Sequence, residues 1–108
     1  MKQTNSIKLD DPGIERSAAI AKALGHPARI AILKILAQKN TCFCGDITEI
    51  IPLAQSTVSQ HLKALKTAGL IKGEVEGVRT CYCLNPEGVK ELKSLLSELS
   101  DELVETCC

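Results

Sequence analysis

Six cysteines give this chain its most evident chemistry, and they come in close pairs: Cys42 and Cys44 in "TCFCG", Cys81 and Cys83 in "TCYCL", and Cys107 beside Cys108 at the end. Thiolates are soft ligands and oxidisable nucleophiles, so close pairs suit capture of a soft metal or metalloid, or thiol–disulfide chemistry. A disulfide scaffold belongs chiefly to secreted domains, and the opening "MKQTNSIKLDDPG" lacks the apolar core of a secretory signal. The chain therefore reads as cytoplasmic, where paired thiols point to metal binding or redox work. No C-x-x-C and no Cys–His–acid set with an evident pocket accompanies the pairs, which argues against a thiol enzyme.

Spacing decides how each pair can act. Neighbours at i and i+2 on a helix point about 200° apart, so Cys42 and Cys44 can share a ligand only where the backbone is not yet helical. The reading is that Cys42 lies in a loop and Cys44 in the first turn of a short helix, where unpaired N–H groups and the helix dipole favour thiolate. On a strand, i and i+2 share a face, so Cys81 and Cys83 can chelate without distortion. Cysteine is also among the most buried residue types, and the alternation of Tyr82 and Leu84 leaves open whether this pair chelates or packs. Cys107 and Cys108 follow an acidic helix end in a mobile tail, residues 106–108, where adjacent thiols suit a ligand or redox role.

The elements that must position these thiols follow from composition and period. The 108 residues make one domain with a modest core, preceded by a flexible arm at residues 1–12; hydrophobic residues are 44% of the chain but aromatics only 2%, which favours packed helices built from Leu, Ile, Val and Ala. No apolar run approaches the roughly 20 residues of a membrane span. Ile14, Ala18, Ala21 and Leu24 recur at helical spacing over residues 13–24; Gly25 suits a left-handed C-terminal cap, and His26 a structural or N-cap place before Pro27. Residues 27–38 are apolar nearly all round, which marks a helix buried on several sides. A short third helix is expected from about Gly45 to Ile51, ended by Pro52, and a fourth from Gln55 to Gly69. "LIKGEVEGVRTCYCLN" then alternates around a turn at Glu76-Gly77, a two-stranded hairpin. Residues 87–105 form a last helix of roughly 28 Å. On it Val89, Leu92, Leu96, Leu99 and Leu103 make a 3, 4, 3, 4 coiled-coil-like seam, which either meets a second helix of a partner or packs on the chain's own core.

The order of these elements is a helix-turn-helix followed by a wing. In the fourth helix Val58, Leu62 and Leu65 form one face, and Ser56, Gln60, Lys63 and Thr67 the opposite one, with Ser59 beside them. Such a second helix enters the major groove and reads base edges from its N-terminal turns. Gln55, Ser56, Thr57, Ser59 and Gln60 are short donors and acceptors suited to bases and phosphates, while Lys63 and Arg79, the latter just past the hairpin tip, suit phosphates. His61, on the flank, is either a packed histidine or a further DNA contact. The formal charge is zero, but residues 55–72 hold three lysines and no acid, whereas residues 86–108 hold two lysines against six acids. That distribution argues against strong non-specific nucleic-acid binding and leaves room for a local contact multiplied by dimerisation.

"ALGHPARIAILKIL", "CFCGDI" and "LAQSTVSQHLKALKTAGLIKGEVEGVRTCYCLN" resemble the ArsR/SmtB family of small metal-responsive repressors, over roughly residues 15–95. The resemblance implies a mainly α fold with a β-hairpin, a winged helix-turn-helix of order α-α-α-α-β-β-α. It also implies a homodimer through the first and last helices, and a repressor that leaves double-stranded operator DNA when an inducer binds, with no cofactor needed for DNA binding. The family's His and carboxylate site on the last helix is absent, because that helix has no histidine. "NTCFCGDI" is similar to the "ELCVCDL" of arsenic, cadmium and lead sensors, which implies As(III) as inducer, with Cd(II), Pb(II) or another soft metal as alternatives. Arsenic sensors often carry a third cysteine where this chain has Ile47, and cadmium sensors recruit further cysteines from an N-terminal arm, whereas residues 1–41 here hold none. Two thiolates are an incomplete site, so the missing ligand must come from Cys107 or Cys108, which are the first expectation, from the wing pair Cys81 and Cys83, from the other subunit, or from outside the protein. A repressor of the same fold that senses thiol oxidation or persulfide is the competing reading.

Overall fold

The computed structural model describes residues 7–39, 42–45, 47–76 and 79–105. Helices α1 (Pro12–Leu24) and α2 (Pro27–Lys39) are followed by a short strand, β1 (Cys42–Cys44), and a single 3-10 turn, Ile47–Glu49. Helix α3 (Gln55–Thr67), strands β2 (Ile71–Glu76) and β3 (Arg79–Leu84), and the long helix α4 (Pro86–Glu105) complete the order. The expected winged helix-turn-helix architecture is present. It differs where a third helix was expected over 45–51: β1 ends just before this span, and the span's regular structure among the described residues is the single 3-10 turn Ile47–Glu49. Gly45 at φ +137° makes the corner between them, a conformation that L side chains rarely adopt. Pro52 then disfavours helical backbone at Ile51 and ends the turn.

The three strands form one antiparallel sheet in the order β1-β3-β2. Its inner side closes a core whose fully buried members are Ile20 of α1, Ile32 and Leu36 of α2, Leu65 of α3, and Leu70 and Ile71 at the start of the wing. Helix α1 starts on Pro12 behind Asp11, whose carboxylate accepts the Ile14 N–H at 3.1 Å. Its core side is Ile20 and Ala23, while Ile14, Ala18 and Ala21 of the expected stripe are exposed. Gly25 is not left-handed (φ −78°); small size suits it there, since a Cβ would stand 3.3 Å from the Lys22 carbonyl. His26 does cap α2: its Nδ1 accepts the Ala28 N–H at 3.0 Å. Helix α2 buries Ala28, Ile32 and Leu36, one stripe rather than its whole circumference, and Ile30 is 39% exposed.

The end of α3 joins the helix-turn-helix to both wing and α4. Gly69 takes φ +83°, and the Gly69 and Leu70 N–H groups donate back to the Lys66 and Leu65 carbonyls at 3.0 and 3.1 Å. This Schellman arrangement drives Leu70 into the core. The side-chain amide of Asn85 donates to the Gly69 carbonyl at 2.9 Å, and its backbone N–H to the Leu70 carbonyl at 2.9 Å. Gly88 lies so close to Gly69 that a Cβ would overlap the Gly69 carbonyl. Arg16 adds a long-range tie, donating to both Glu91 carboxylate oxygens at 2.8 Å and to the Ala68 carbonyl at 2.7 Å. The same hydrogen bond to Arg16 holds the Glu91 carboxyl below its ordinary pKa and raises that of the guanidinium. Beyond this point α4 runs past the core, where Leu92 packs but Leu96, Leu99 and Leu103 are 50–60% exposed.

Candidate thiol site and nucleic-acid interface

Helix α3 presents the surface that the sequence pattern assigns to DNA. Val58, Leu62 and Leu65 are buried, while Gln55, Ser56, Ser59, Gln60 and Lys63 are exposed and Thr57 is half-buried. Ala54 is the N-cap and has no side-chain cap hydrogen bond, so the first turn depends on an external acceptor for its free N–H groups. His61 does not belong to this face. It is 7% exposed, its ring lies 4.3 Å from that of His26, and its Nδ1 accepts from Arg29 Nε at 3.1 Å. Burial, and then the neighbouring His26 and Arg29, lower its pKa, so the ring is held neutral. Helix periodicity placed it on a flank; only packing of α2 against α3 decides that the flank is covered. Arg79 opens β3 opposite Glu76, but its side chain, like the Gly77 turn, lies outside the described part.

The thiols are brought together in a way that spacing alone did not reveal. Strand β1 pairs antiparallel with β3 in the register Cys42↔Cys83, Phe43↔Tyr82, Cys44↔Cys81. Two C-aromatic-C tripeptides thus lie face to face. Phe43, Tyr82 and Leu84 all pack on the core; Tyr82 and Leu84, two residues apart on one strand, share that side. Alternation then sends all four cysteines to the outer face, where Cys42 and Cys44 are exposed and Cys81 and Cys83 half-buried. The wing pair is therefore not core packing. Nor are Cys42 and Cys44 at a helix start, so the helix dipole does not act on them. On β2 the exposed Lys72 stands opposite Cys83, and Glu74 holds the register position opposite Cys81.

In the structure the facing cysteines are joined as Cys42–Cys83 and Cys44–Cys81 disulfides, with Cα atoms 4.2 and 4.1 Å apart. A disulfide sulfur is not a thiolate, and among the described residues no group of three or more His, Cys, Asp or Glu side chains is arranged to hold a metal ion in this state. Cys107 and Cys108 lie outside the described residues. The sequence reading missed β1 itself. Its signal was present in the mirrored "CFC" and "CYC", whose period of two is that of strands, but a three-residue strand without flanking alternation carries little weight alone.

A second exposed surface lies along the first and last helices. Ile14 and Ser17 of α1 face Leu95 and Leu99 of α4 across an open groove of about 420 Å³. Val89, Leu96, Leu99 and Leu103 are 38–60% exposed, whereas Leu92 is used by the protomer's own core.

Comparison with known proteins places this arrangement. The bacterial regulatory protein, arsR family, matches residues 26–72, from the α2 cap to the start of the wing. The chain is 42% identical to an uncharacterized HTH-type transcriptional regulator of Methanocaldococcus jannaschii, over 79% of this chain and 96% of that one. It is 43% identical to the arsenical resistance operon repressor of Bacillus subtilis, over 81% of this chain and 74% of that protein. A homodimeric winged helix-turn-helix DNA-binding domain from Mycobacterium bovis superimposes with a TM-score of 0.61 at 28% identity, covering 95% of this chain and 94% of that one. With its helix-turn-helix, its wing and this identity along most of its length, the chain belongs to the ArsR family of DNA-binding transcriptional regulators.

Proposed function

We propose that this protein is a repressor that holds double-stranded operator DNA as a homodimer and releases it when its thiolates take a soft metal or metalloid, As(III) before Cd(II) or Pb(II). The observation that carries the reading is the position of the cysteine patch. One side of it is the strand leading into the helix-turn-helix and the other is the wing, so a ligand across it acts on both parts that meet DNA. Gln55, Ser56, Thr57, Ser59 and Gln60 suit base edges and phosphates, Lys63 and Arg79 suit phosphates, and no cofactor is needed for that contact. The exposed α4 seam with Ile14 of α1 supports dimerisation, as does the homodimeric state of the Mycobacterium bovis domain. Similarity to the Bacillus subtilis arsenical resistance repressor favours As(III). That ion takes three thiolates; Cys42 and Cys44 supply two, and the wing pair or Cys107 and Cys108 the rest.

Thiol oxidation as the releasing signal is the second reading, favoured by the two closed disulfides. A gel-shift titration on the chain's own upstream DNA, kept anaerobic and reduced, separates the two. Release by As(III) without oxidant, lost in Cys42→Ser, is the expected result. Indifference to As(III) and Cd(II) with release by peroxide or persulfide would favour the oxidation reading, and absence of DNA binding in every condition would remove both.

A further inference from the structure

We infer that Cys42, Cys44, Cys81 and Cys83 form one intrachain site with two mutually exclusive occupations: a soft ion held by three or four thiolates, or two cross-strand disulfides that shut it out. The site stands on strand register alone; only its link to operator release rests on the function proposed above.

The geometry sets both occupations. Facing cysteines have Cα atoms 4.2 and 4.1 Å apart, while neighbours two apart on one strand are separated by about 7 Å. The four positions thus outline a rectangle on one face of the β1–β3 ladder. Its half-diagonal is about 4 Å, close to the roughly 3.5 Å that a cysteine spans from Cβ through sulfur to an ion bound at about 2.3 Å. An ion at the middle of the rectangle lies slightly beyond that span from every corner, so drawing on three or four sulfurs requires the reduced ladder to give by about half an ångström at each corner. The same dimensions choose the disulfides: about 7 Å between Cα atoms is beyond the usual reach of the bond, so each cysteine pairs across the ladder and not along its own strand. Cys42 and Cys44 are exposed, which leaves the patch open to ions and small oxidants. Phe43 and Tyr82 hold the ladder from the core side in either state. No thiol of the tail or of a second protomer is required.

Closure by a low-molecular-weight disulfide balances as two exchanges per pair. One cysteine thiolate attacks a reagent sulfur, forming a mixed disulfide and expelling a small thiol. The facing thiolate then attacks the protein sulfur of that mixed disulfide and expels the second. Each pair loses two protons and two electrons and turns one reagent molecule into two thiols, so the quartet consumes two reagent molecules. The product joins β1 to β3 covalently and leaves no thiolate in the patch. An oxidised chain is consequently deaf to the ion that a reduced chain senses.

The test uses the full-length protein under anaerobic conditions. Reduced protein titrated with Cd(II) is expected to develop thiolate-to-metal charge-transfer absorbance saturating at one ion per chain. Treatment with two equivalents of oxidised glutathione should abolish that absorbance, and peptide mapping should return Cys42–Cys83 and Cys44–Cys81. Cys81→Ser with Cys83→Ser should bind Cd(II) weaker by roughly tenfold or more, and Cys107→Ser with Cys108→Ser should bind as wild type. The single Cys83→Ser, which keeps three thiolates, covers the case in which the double variant does not fold: with oxidised glutathione it should form only the Cys44–Cys81 bond, and a Cys42–Cys44 bond in it would overturn the pairing. Charge transfer that survives oxidation, disulfides mapping to the tail, or unchanged binding in the wing variants overturns the inference. Gel shifts on the same samples keep the two proposals apart. Wild-type protein that binds Cd(II) at the patch but keeps its DNA sinks the release reading alone; release that persists in the wing variants sinks the site alone.

Discussion

Phe43 and Tyr82 on the inner face of the β1–β3 ladder, and the four cysteines on its outer face, come from the same two tripeptides and the same register. The inner pair is committed to the core: Tyr82 lies so close over Gly73 that a Cβ there would overlap its ring. By parity the outer four point away from the core, and in this structure they are bonded to one another across the ladder. Alternation thus lets three residues of strand serve the core on one side and carry the proposed thiol site on the other. A helix could not do this with i, i+2 thiols, because its period scatters them.

The largest test of the contrast is the covalent state of the outer face. The Cys42–Cys83 bond closes a loop with a sequence separation of 41 residues, for which the chain-entropy argument gives about 4 kcal/mol; the second bond, nested inside, adds less. Thermal unfolding with and without reductant should show Tm falling on the order of 20 °C on reduction; equal values with both bonds verified would contradict it. On the inner face, Tyr82→Ala in reductant should cost about 2–3 kcal/mol in urea unfolding, below the full aromatic value because the ring is only half-buried. A loss under about 0.5 kcal/mol would mean that the aromatic pair does not hold the ladder.

A pH scan sharpens the same division. His61 belongs to the inner side, and its pKa is lowered by burial, then by His26 and Arg29. The unfolded chain therefore takes up the proton first. Stability is full above the ordinary value of 6.5 and declines as pH falls from there toward the depressed folded value. The decline should be the same in reduced and oxidised protein and absent in His61→Gln; a slope that depends on redox state would join the two faces instead of separating them. The smallest effect is expected at the outer face once it is reduced: Cys81→Ser with Cys83→Ser should shift urea unfolding by no more than about 0.5 kcal/mol. A larger loss would show the outer face to be structural too.

The expected fold was legible because its signals are local. Val58, Leu62 and Leu65 recur at one helical face, Gly69 stops that helix, and the wing alternates after it. His61 shows where local signals end: its flank position was correct, but its burial depends on His26 and Arg29 of another helix. The seam on α4 divides in the same way, with Leu92 taken by the protomer's core and Leu96, Leu99 and Leu103 left exposed, a partition that spacing along one helix does not contain.

By itself the sequence narrowed the proposed chemistry, since six paired cysteines without a catalytic partner set suit soft-ion or redox work. It also determined the elements, through periods that each segment carries within itself. Only the tertiary structure decided which thiols meet. Cys42 and Cys83 are 41 residues apart, and no local rule pairs them. What does is the burial of Phe43 and Tyr82 against one core, which sets the register of β1 on β3 and so leaves four sulfurs together on the side facing away.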